Sequence, residues 1–420
     1  MKAIIILAIT LVVVAALAAW CKSRWRAWFY NPEEPPYTVA VEPQRVLLTF
    51  GDHGETSRYV TWMCDTTVDN TSRLLLCDTT STDTIAIAAT GEVFRSRAGQ
   101  AAYYRAEMTN LQPSHTYSYA VESCGRRSEW YRFTMHNPKD SVFTFLFMGD
   151  VQDTIGGIAN RLLRKAIENH PETEMVVFGG DLTERPMDKF WAETFSGIDS
   201  ICTAMPILMV LGNHEYLKYV IRKCERRNSL VFPYFLKGME ERDDENHLFS
   251  LRYHDTDFLL LDTNREFPFL WGQRRWLKEQ LANSSARHHI VIGHHPFYSV
   301  KRKNNNLLIR WIFSDVVEDA HAELVMQGHE HAYARCTASE KPMEGDICHN
   351  APLYTVSHCS PKNYRIRPTE RFSAIHSDSR YYQLITVTPD TTFMRGFDAN
   401  SGELIDEVKI VAHRKMRKAS

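Results

Sequence analysis

The chain has 420 residues, 44% hydrophobic and 24% charged, a globular composition with room for two domains or one large domain with an appendage. A formal net charge of −2 leaves no overall basic field, so no nucleic-acid partner is indicated. Nine cysteines occur without a C-x-x-C pair, which argues against a thiolate zinc site.

Residues 3–20, "AIIILAITLVVVAALAAW", carry no charge. At ~1.5 Å each they reach about 27 Å, marginally enough to span a bilayer and longer than a typical signal-peptide core. Trp20, Trp25 and Trp28 suit an interfacial aromatic belt, whereas Ala16-Leu17-Ala18 suits a cleavage site. Residues 1–28 are therefore expected to be a membrane anchor or a signal peptide. Lys22, Arg24 and Arg26 come directly after the run, and the positive-inside rule alone would put the remainder in the cytoplasm.

Residues 29–37, "FYNPEEPPY", read as a Pro-rich linker. From 38 to 136, short strand-like runs alternate with Gly, Asp, Asn or Ser turns, the pattern of a small all-β sandwich. Cys64 and Cys77 lie on successive runs, and Cys336 and Cys348 bracket a polar loop. Each pair is either a disulfide or two small buried hydrophobes.

After "HNPKD" the period changes. "SVFTFLFMGD", "EMVVFGGD", "PILMVLGNHE", "RHHIVIGHHP" and "AELVMQGHEHAYA" read as strands, with helices such as "IANRLLRKAIENH" and "NLLIRWIFSDVVEDA" between them. This alternation predicts an α/β domain over 141–412, with helices flanking its sheets. "YYQLITVTPDTTFMRGFDANSGELIDEVKIV" adds three strands, and residues 413–420 form a basic tail.

The apolar runs share an ending: Gly149-Asp150, Gly180-Asp181, Gly212-Asn213, Gly293-His294 and Gly328-His329. Only 19 residues are Gly, so composition does not explain five such junctions. Open α/β sheets bind ligands at the carboxyl ends of their strands, which brings the five ends to one site. Carboxylate, amide oxygen and imidazole suit divalent Mn, Fe, Zn, Co or Mg, and a carboxylate can bridge two ions. One Gly-Asp alone is a common turn; the order and shared context of five carry the inference. "GDHGE" at 51–55 ends an apolar run too, but no helix comes after it, and it reads as a hairpin turn.

With these blocks in place, the sequence resembles the calcineurin-like metallophosphoesterases, in their purple acid phosphatase-like branch. "GDVQ", "GDLTE", "GNHE", "VIGHHP" and "GHEHAYAR" stand for the family's ordered motifs over roughly 141–390. The preceding segment, with "MTNLQPSHTYSYAV", resembles the branch's fibronectin type III-like domain. The resemblance implies a sandwich of two mixed sheets flanked by helices, and a phosphomonoesterase with two divalent metal ions (Mn, Fe, Zn or Mg). Those ions would polarise the phosphoryl oxygens and activate water. It further implies that Asp181 bridges the metals, that one metal adds Asp150 and His331, and that the other adds Asn213, His294 and His329. His214 would contact the substrate phosphate and protonate the leaving group. A phosphodiesterase or nucleotidase on the same site is the sibling reading, and an envelope binding protein without turnover the more distant one.

Two positions depart from the family pattern. Purple enzymes place a tyrosine three residues after the bridging aspartate; Glu184 stands there, either as a group supporting the ligands from behind or as a solvated residue opening the next helix, so no charge-transfer colour is expected. Gln152 stands where relatives place histidine or glycine, either giving an amide oxygen to the Asp150 metal or touching substrate. His295 is a further metal or substrate contact, His358 faces either the cleft or the core, and Tyr298, Tyr333 and Arg335 flank the cleft or pack. By the same resemblance the protein is expected to be extracytoplasmic, anchored by its N-terminal helix or secreted after cleavage.

Overall fold

The computed structural model describes residues 2–81, 83–153, 157–233, 247–301, 306–349, 352–366 and 369–412; the basic tail lies outside the described residues. The leading apolar run is one helix, Lys2–Phe29. Its stretch Ile5–Arg26 is long and apolar enough to cross a membrane and packs against nothing else in the described chain.

Residues 44–134 build two facing antiparallel sheets. One orders Gln44–Gly51, Gly54–Met63, Gln100–Met108 and Thr90–Arg95; the other pairs Thr84–Ala88, Arg73–Asp78 and Thr116–Ser123. Their interior holds Trp62 stacked on Tyr104 at 5.6 Å. The segment "GDHGE" is the hairpin turn between the first two strands, where Gly51 pairs with Gly54. The nine cysteines are free thiols, and Cys64, Cys336 and Cys348 are buried as small hydrophobes.

The sandwich is bonded to the α/β domain. Arg45 makes a two-pronged contact with the Asp188 carboxylate at 2.8 and 2.9 Å, and the Thr49 and Thr61 hydroxyls donate to the carbonyls of Ile207 and Val231. Leu47, Phe50 and Met63 join the same apolar core as Phe145, Val177 and Leu208.

From residue 143 onward the chain forms two seven-stranded mixed sheets. In the first, Phe143–Met148, Thr173–Phe178 and Ile207–Met209 run parallel. In the second, Thr256–Leu260, His288–Ile292, Leu324–Gln327 and Leu353–Val356 run parallel. These parallel strands are almost wholly buried, as continuous apolar runs covered on both faces should be. The helices Ala159–Asn169 and Asp188–Cys202 cover the first sheet, and Phe267–Asn283 and Leu307–Asp319 cover the second. All five Gly-X junctions sit at carboxyl ends of parallel strands, three in one sheet and two in the other.

Candidate metal centre

The two sheets meet at these junctions because glycine lets backbone pass backbone. A Cβ on Gly212 would lie 2.1 Å from both the backbone N and Oδ1 of Asp181. A Cβ on Gly328 would lie 2.5 Å from Asp150 Oδ2. The residues after three of the glycines pay for the convergence in strain: Asp150, Asp181 and His329 have φ of 45°, 52° and 66°. Left-handed backbone at a non-glycine residue costs on the order of 1–3 kcal/mol, and such strain concentrates at functional sites.

The side chains gather around Asp181, which is buried. His294 Nε2 lies 3.3 Å from its Oδ2, His214 Nε2 lies 3.9 Å from the same oxygen, and the His214 backbone N–H donates 2.8 Å to its Oδ1. Asn213 Oδ1 and His329 Nδ1 stand 3.3 and 3.2 Å from His294 Nε2. Asp181, His294 and His329 offer ligand atoms within 4.8 Å of one another. On the other side, His331 Nε2 lies 3.4 Å from Asp150 Oδ1, and the His329 N–H donates to Asp150 Oδ2. The structure thus brings together all six sequence-predicted metal residues and His214.

Three of the imidazoles have fixed tautomers. His294 Nδ1 faces the Gly179 carbonyl at 2.9 Å, His331 Nδ1 the Lys362 carbonyl at 2.5 Å, and His214 Nδ1 the Glu184 carbonyl at 2.5 Å. A carbonyl only accepts, so each Nδ1 donates and each Nε2 turns toward a carboxylate. A nitrogen lone pair facing a carboxylate oxygen is repulsive unless a proton or a cation lies between them. Asp150 Oδ1 is buried with no hydrogen-bond partner, a costly arrangement that a cation would relieve. The donor set and this orphaned oxygen fit hard or borderline divalent ions.

The buried charges of the cluster shift one another's titration. Burial works against a charged Asp181, but His294 and then His214 outweigh it and hold the carboxyl well below its usual range. Burial likewise lowers His294, and Asp181 overrides that, pushing it up to about 10. His329 is held well below its usual value by burial, then by His295 and His294, so the ring stays neutral and keeps one nitrogen lone pair for ligation.

Gln152 is drawn into the same cluster. Its amide lies against Asp181; with nitrogen on that side it donates 3.2 Å to Oδ2 and 3.3 Å to the carbonyl oxygen. Of the two readings of Glu184, the helix-opening one does not hold. The next helix starts at Asp188, and Glu184 instead turns its carbonyl onto His214. His295 sits beside His329, ring centres 4.3 Å apart, with Nδ1 3.1 Å from Thr263 Oγ1; burial and then His294 push it down to about 3. His358 is buried and stacks on His331 at 5.1 Å. Tyr298 packs on Tyr354, and Tyr333 and Arg335 both bond Asp406, so all three serve packing.

Sequence reasoning missed Glu215 and Tyr364. Glu215 is fully buried and accepts the backbone N–H groups of Gly212, Asp181 and Thr183 at 2.7, 2.9 and 3.1 Å. One carboxylate thereby ties two junctions together. Burial and the neighbouring Asp181 push it up to about 7. Tyr364 stacks on His331 at 4.2 Å, and the ammonium groups of Lys301 and Lys362 lie 4.0 and 5.3 Å from its ring. Glu215 was visible as the last letter of "GNHE"; the segment around Tyr364 has no periodic pattern that could have flagged it.

Residues 143–333 match the family described as calcineurin-like phosphoesterase, and residues 43–135 match the purple acid phosphatase N-terminal domain. "Probable inactive purple acid phosphatase 9" of Arabidopsis thaliana is 24% identical over 210 residues, 42% of this chain and 32% of that protein. The chain thus matches about a third of that relative's length. A solved structure described as "GAP50 the anchor in the inner membrane complex of Plasmodium" aligns with a TM-score of 0.47 and 15% identity, over 66% of this chain and 91% of that one.

Proposed function

Since the chain carries a calcineurin-like phosphoesterase domain with a purple acid phosphatase N-terminal domain ahead of it, we propose that it is a phosphomonoesterase working with two divalent metal ions. The observation that carries this reading is the set of tautomer-locked imidazoles whose Nε2 atoms face Asp181 and Asp150. Asp181 would serve both ions, Asp150 and His331 would hold one, and Asn213, His294 and His329 would hold the other. When bound, the ions supply Lewis acidity toward the phosphoryl oxygens and lower the pKa of water.

The chain's own groups do the rest. His214 is held by its Nδ1–H on the Glu184 carbonyl, and its Nε2 faces the cleft. That position lets Nε2 pass a proton to the leaving oxygen. Glu215 holds the Asp181 and Gly212 turns in register, and Gln152 donates to the bridging carboxylate. Lys301 and Lys362, beside Tyr364, add positive charge for the phosphate. With Glu184 in the tyrosine's place, the metal-loaded protein lacks visible charge-transfer absorption. The helix Ile5–Arg26 is retained as an anchor, and the catalytic domain is extracytoplasmic; a topology reporter fused at Ser420 tests this.

A binding protein without turnover is the second reading, favoured by the word "inactive" in the name of the Arabidopsis relative. Metal analysis, with hydrolysis of p-nitrophenyl phosphate and of its bis ester, separates monoesterase, diesterase and binder. A folded, metal-loaded protein that cleaves neither ester would refute the enzyme reading.

A further inference from the structure

The surface next to the cleft carries apolar side chains that no other part of the described chain covers. The turn between Tyr216–Leu217 and Lys223–Cys224 has Tyr219, Val220 and Ile221 at its tip, Val220 being 85% and Ile221 60% exposed. Beside it lies an aromatic platform. Phe267 and Trp271, one turn apart on the helix Phe267–Asn283, stack with Trp311 of the helix Leu307–Asp319, with ring centres 5.7 to 6.2 Å apart. Trp311 is 62% exposed, and Leu307 and Leu308 extend the same patch. Stacked aromatics left in water are an unusual cost, and contiguous exposed apolar patches mark interaction surfaces.

Two polar contacts join these pieces to the anchor. Asn31 stands two residues after the end of the membrane-length helix, and its side-chain amide exchanges two 2.8 Å hydrogen bonds with the backbone of Lys218. Arg222, at the other foot of the turn, pairs with Glu266, the residue before Phe267. From Arg26, the chain to Asn31 spans at most about 12 Å, helical to Phe29 and extended beyond it. The foot of the turn at Lys218 is therefore tied close to the end of the membrane-length helix, and the Arg222–Glu266 pair joins the platform to the same turn. Lys218 and Lys223 flank the tip with positive charge, matching anionic headgroups. The groove beside this turn is lined by Asn31, Arg97, Glu184, Arg185, His214 and Lys218, so the catalytic histidine opens onto the same face.

We infer that the 219–221 tip and the Phe267–Trp271–Trp311 platform form a second membrane contact beside the anchor, inserting into the headgroup and acyl boundary and holding the cleft against the lipid surface. Tryptophan and tyrosine at such a depth keep their rings apolar and their polar edges wet. Resting on the hydrolase reading above, this also names the substrate class: phosphate esters held in the plane of the membrane, such as phosphorylated lipid headgroups.

The test uses the full chain reconstituted in vesicles of phosphatidylcholine and phosphatidylglycerol. An environment-sensitive fluorescent amino acid is placed at Val220 in one variant, and at Asp390, in the turn at the opposite end of the first sheet, in another. The expected result is blue-shifted emission at 220 with about a twofold or greater loss when acyl chains carry bromine, and water-like, unquenched emission at 390. Water-like, unquenched emission at 220 would overturn the contact, and concentration-dependent self-association through the patch would assign it to a second copy instead. For the substrate class, Val220→Glu with Ile221→Glu should lower hydrolysis of phosphatidic acid in vesicles about tenfold relative to p-nitrophenyl phosphate; an unchanged ratio would refute it. If the unsubstituted protein cleaves neither ester, the hydrolase reading fails, while the quenching result still decides the membrane contact.

Discussion

The Nδ1–H of His214 donates to the main-chain carbonyl of Glu184 at 2.5 Å, while the Glu184 carboxylate stays 3.9 Å away. The residue that occupies the tyrosine position of the purple enzymes thus orients the proposed proton donor with its backbone. Removing the Glu184 side chain should therefore matter little. Glu184→Ala is expected to keep kcat within about threefold, whereas His214→Ala should lower kcat by roughly 10²–10⁴ with metal content unchanged. Steady-state kinetics beside metal analysis read both; a large loss in Glu184→Ala would mean that the carboxylate itself takes part.

Glu215 gathers three backbone N–H groups from two junctions. Glu215→Ala leaves those donors buried and unpaired, at about 1–3 kcal/mol for each that finds no water. Metal affinity should fall by about 10–100-fold, as when groups supporting a ligand are lost. Titration with Mn or Zn of protein shown to be folded measures this, and unchanged affinity would remove Glu215 from the site's support.

Gly212 is needed for space; its φ is unexceptional. Its Cβ would sit 2.1 Å from Asp181 N and Oδ1. Gly212→Ala is expected to displace Asp181 and abolish the binding of a metal pair, while Gly345→Ala, where a Cβ meets nothing within 4 Å and only the φ of +72° is strained, keeps it. Calorimetric metal binding compares the two.

A pH effect should appear away from the metals. His136 Nδ1 lies 2.6 Å from Glu174 Oε2, a contact between the end of the sandwich and the first sheet. Burial lowers the His136 pKa, and the Glu174 hydrogen bond and charge outweigh it, raising the pKa above the ordinary value near 6.5. The folded state then binds the proton more tightly than the unfolded one. The stabilisation is full below that ordinary value and is lost as pH rises through the raised one. Denaturant melts across this window should show a fall of about 1 kcal/mol that Glu174→Gln removes. An identical slope in the variant would contradict the assignment.

Much of the site could be read from sequence because it rests on local pattern. Each apolar run ended in glycine and a ligand-type side chain, and parallel strands carry such ends to one edge. Strain was invisible at this level: the left-handed backbone of Asp150, Asp181 and His329 arises where two sheets meet, a tertiary fact. Glu184 had two readings, and only the structure chooses between them: the helix opens at Asp188, and the Glu184 carbonyl holds His214, a tertiary contact. Tyr364, Lys301 and Lys362 are positioned by packing on His331, which no spacing encodes. Phe267 and Trp271 are exposed, which two aromatic residues four apart on a helix do not announce in the sequence.

The most direct test of the two-metal reading is the metal content of purified Asp181→Ala and of the unsubstituted chain, measured together with phosphate-ester turnover. The unsubstituted protein should hold about two divalent ions per chain and hydrolyse p-nitrophenyl phosphate, whereas Asp181→Ala should hold fewer and show no turnover. Full metal content with retained turnover in Asp181→Ala would contradict the bridging role, and with it the proposed centre.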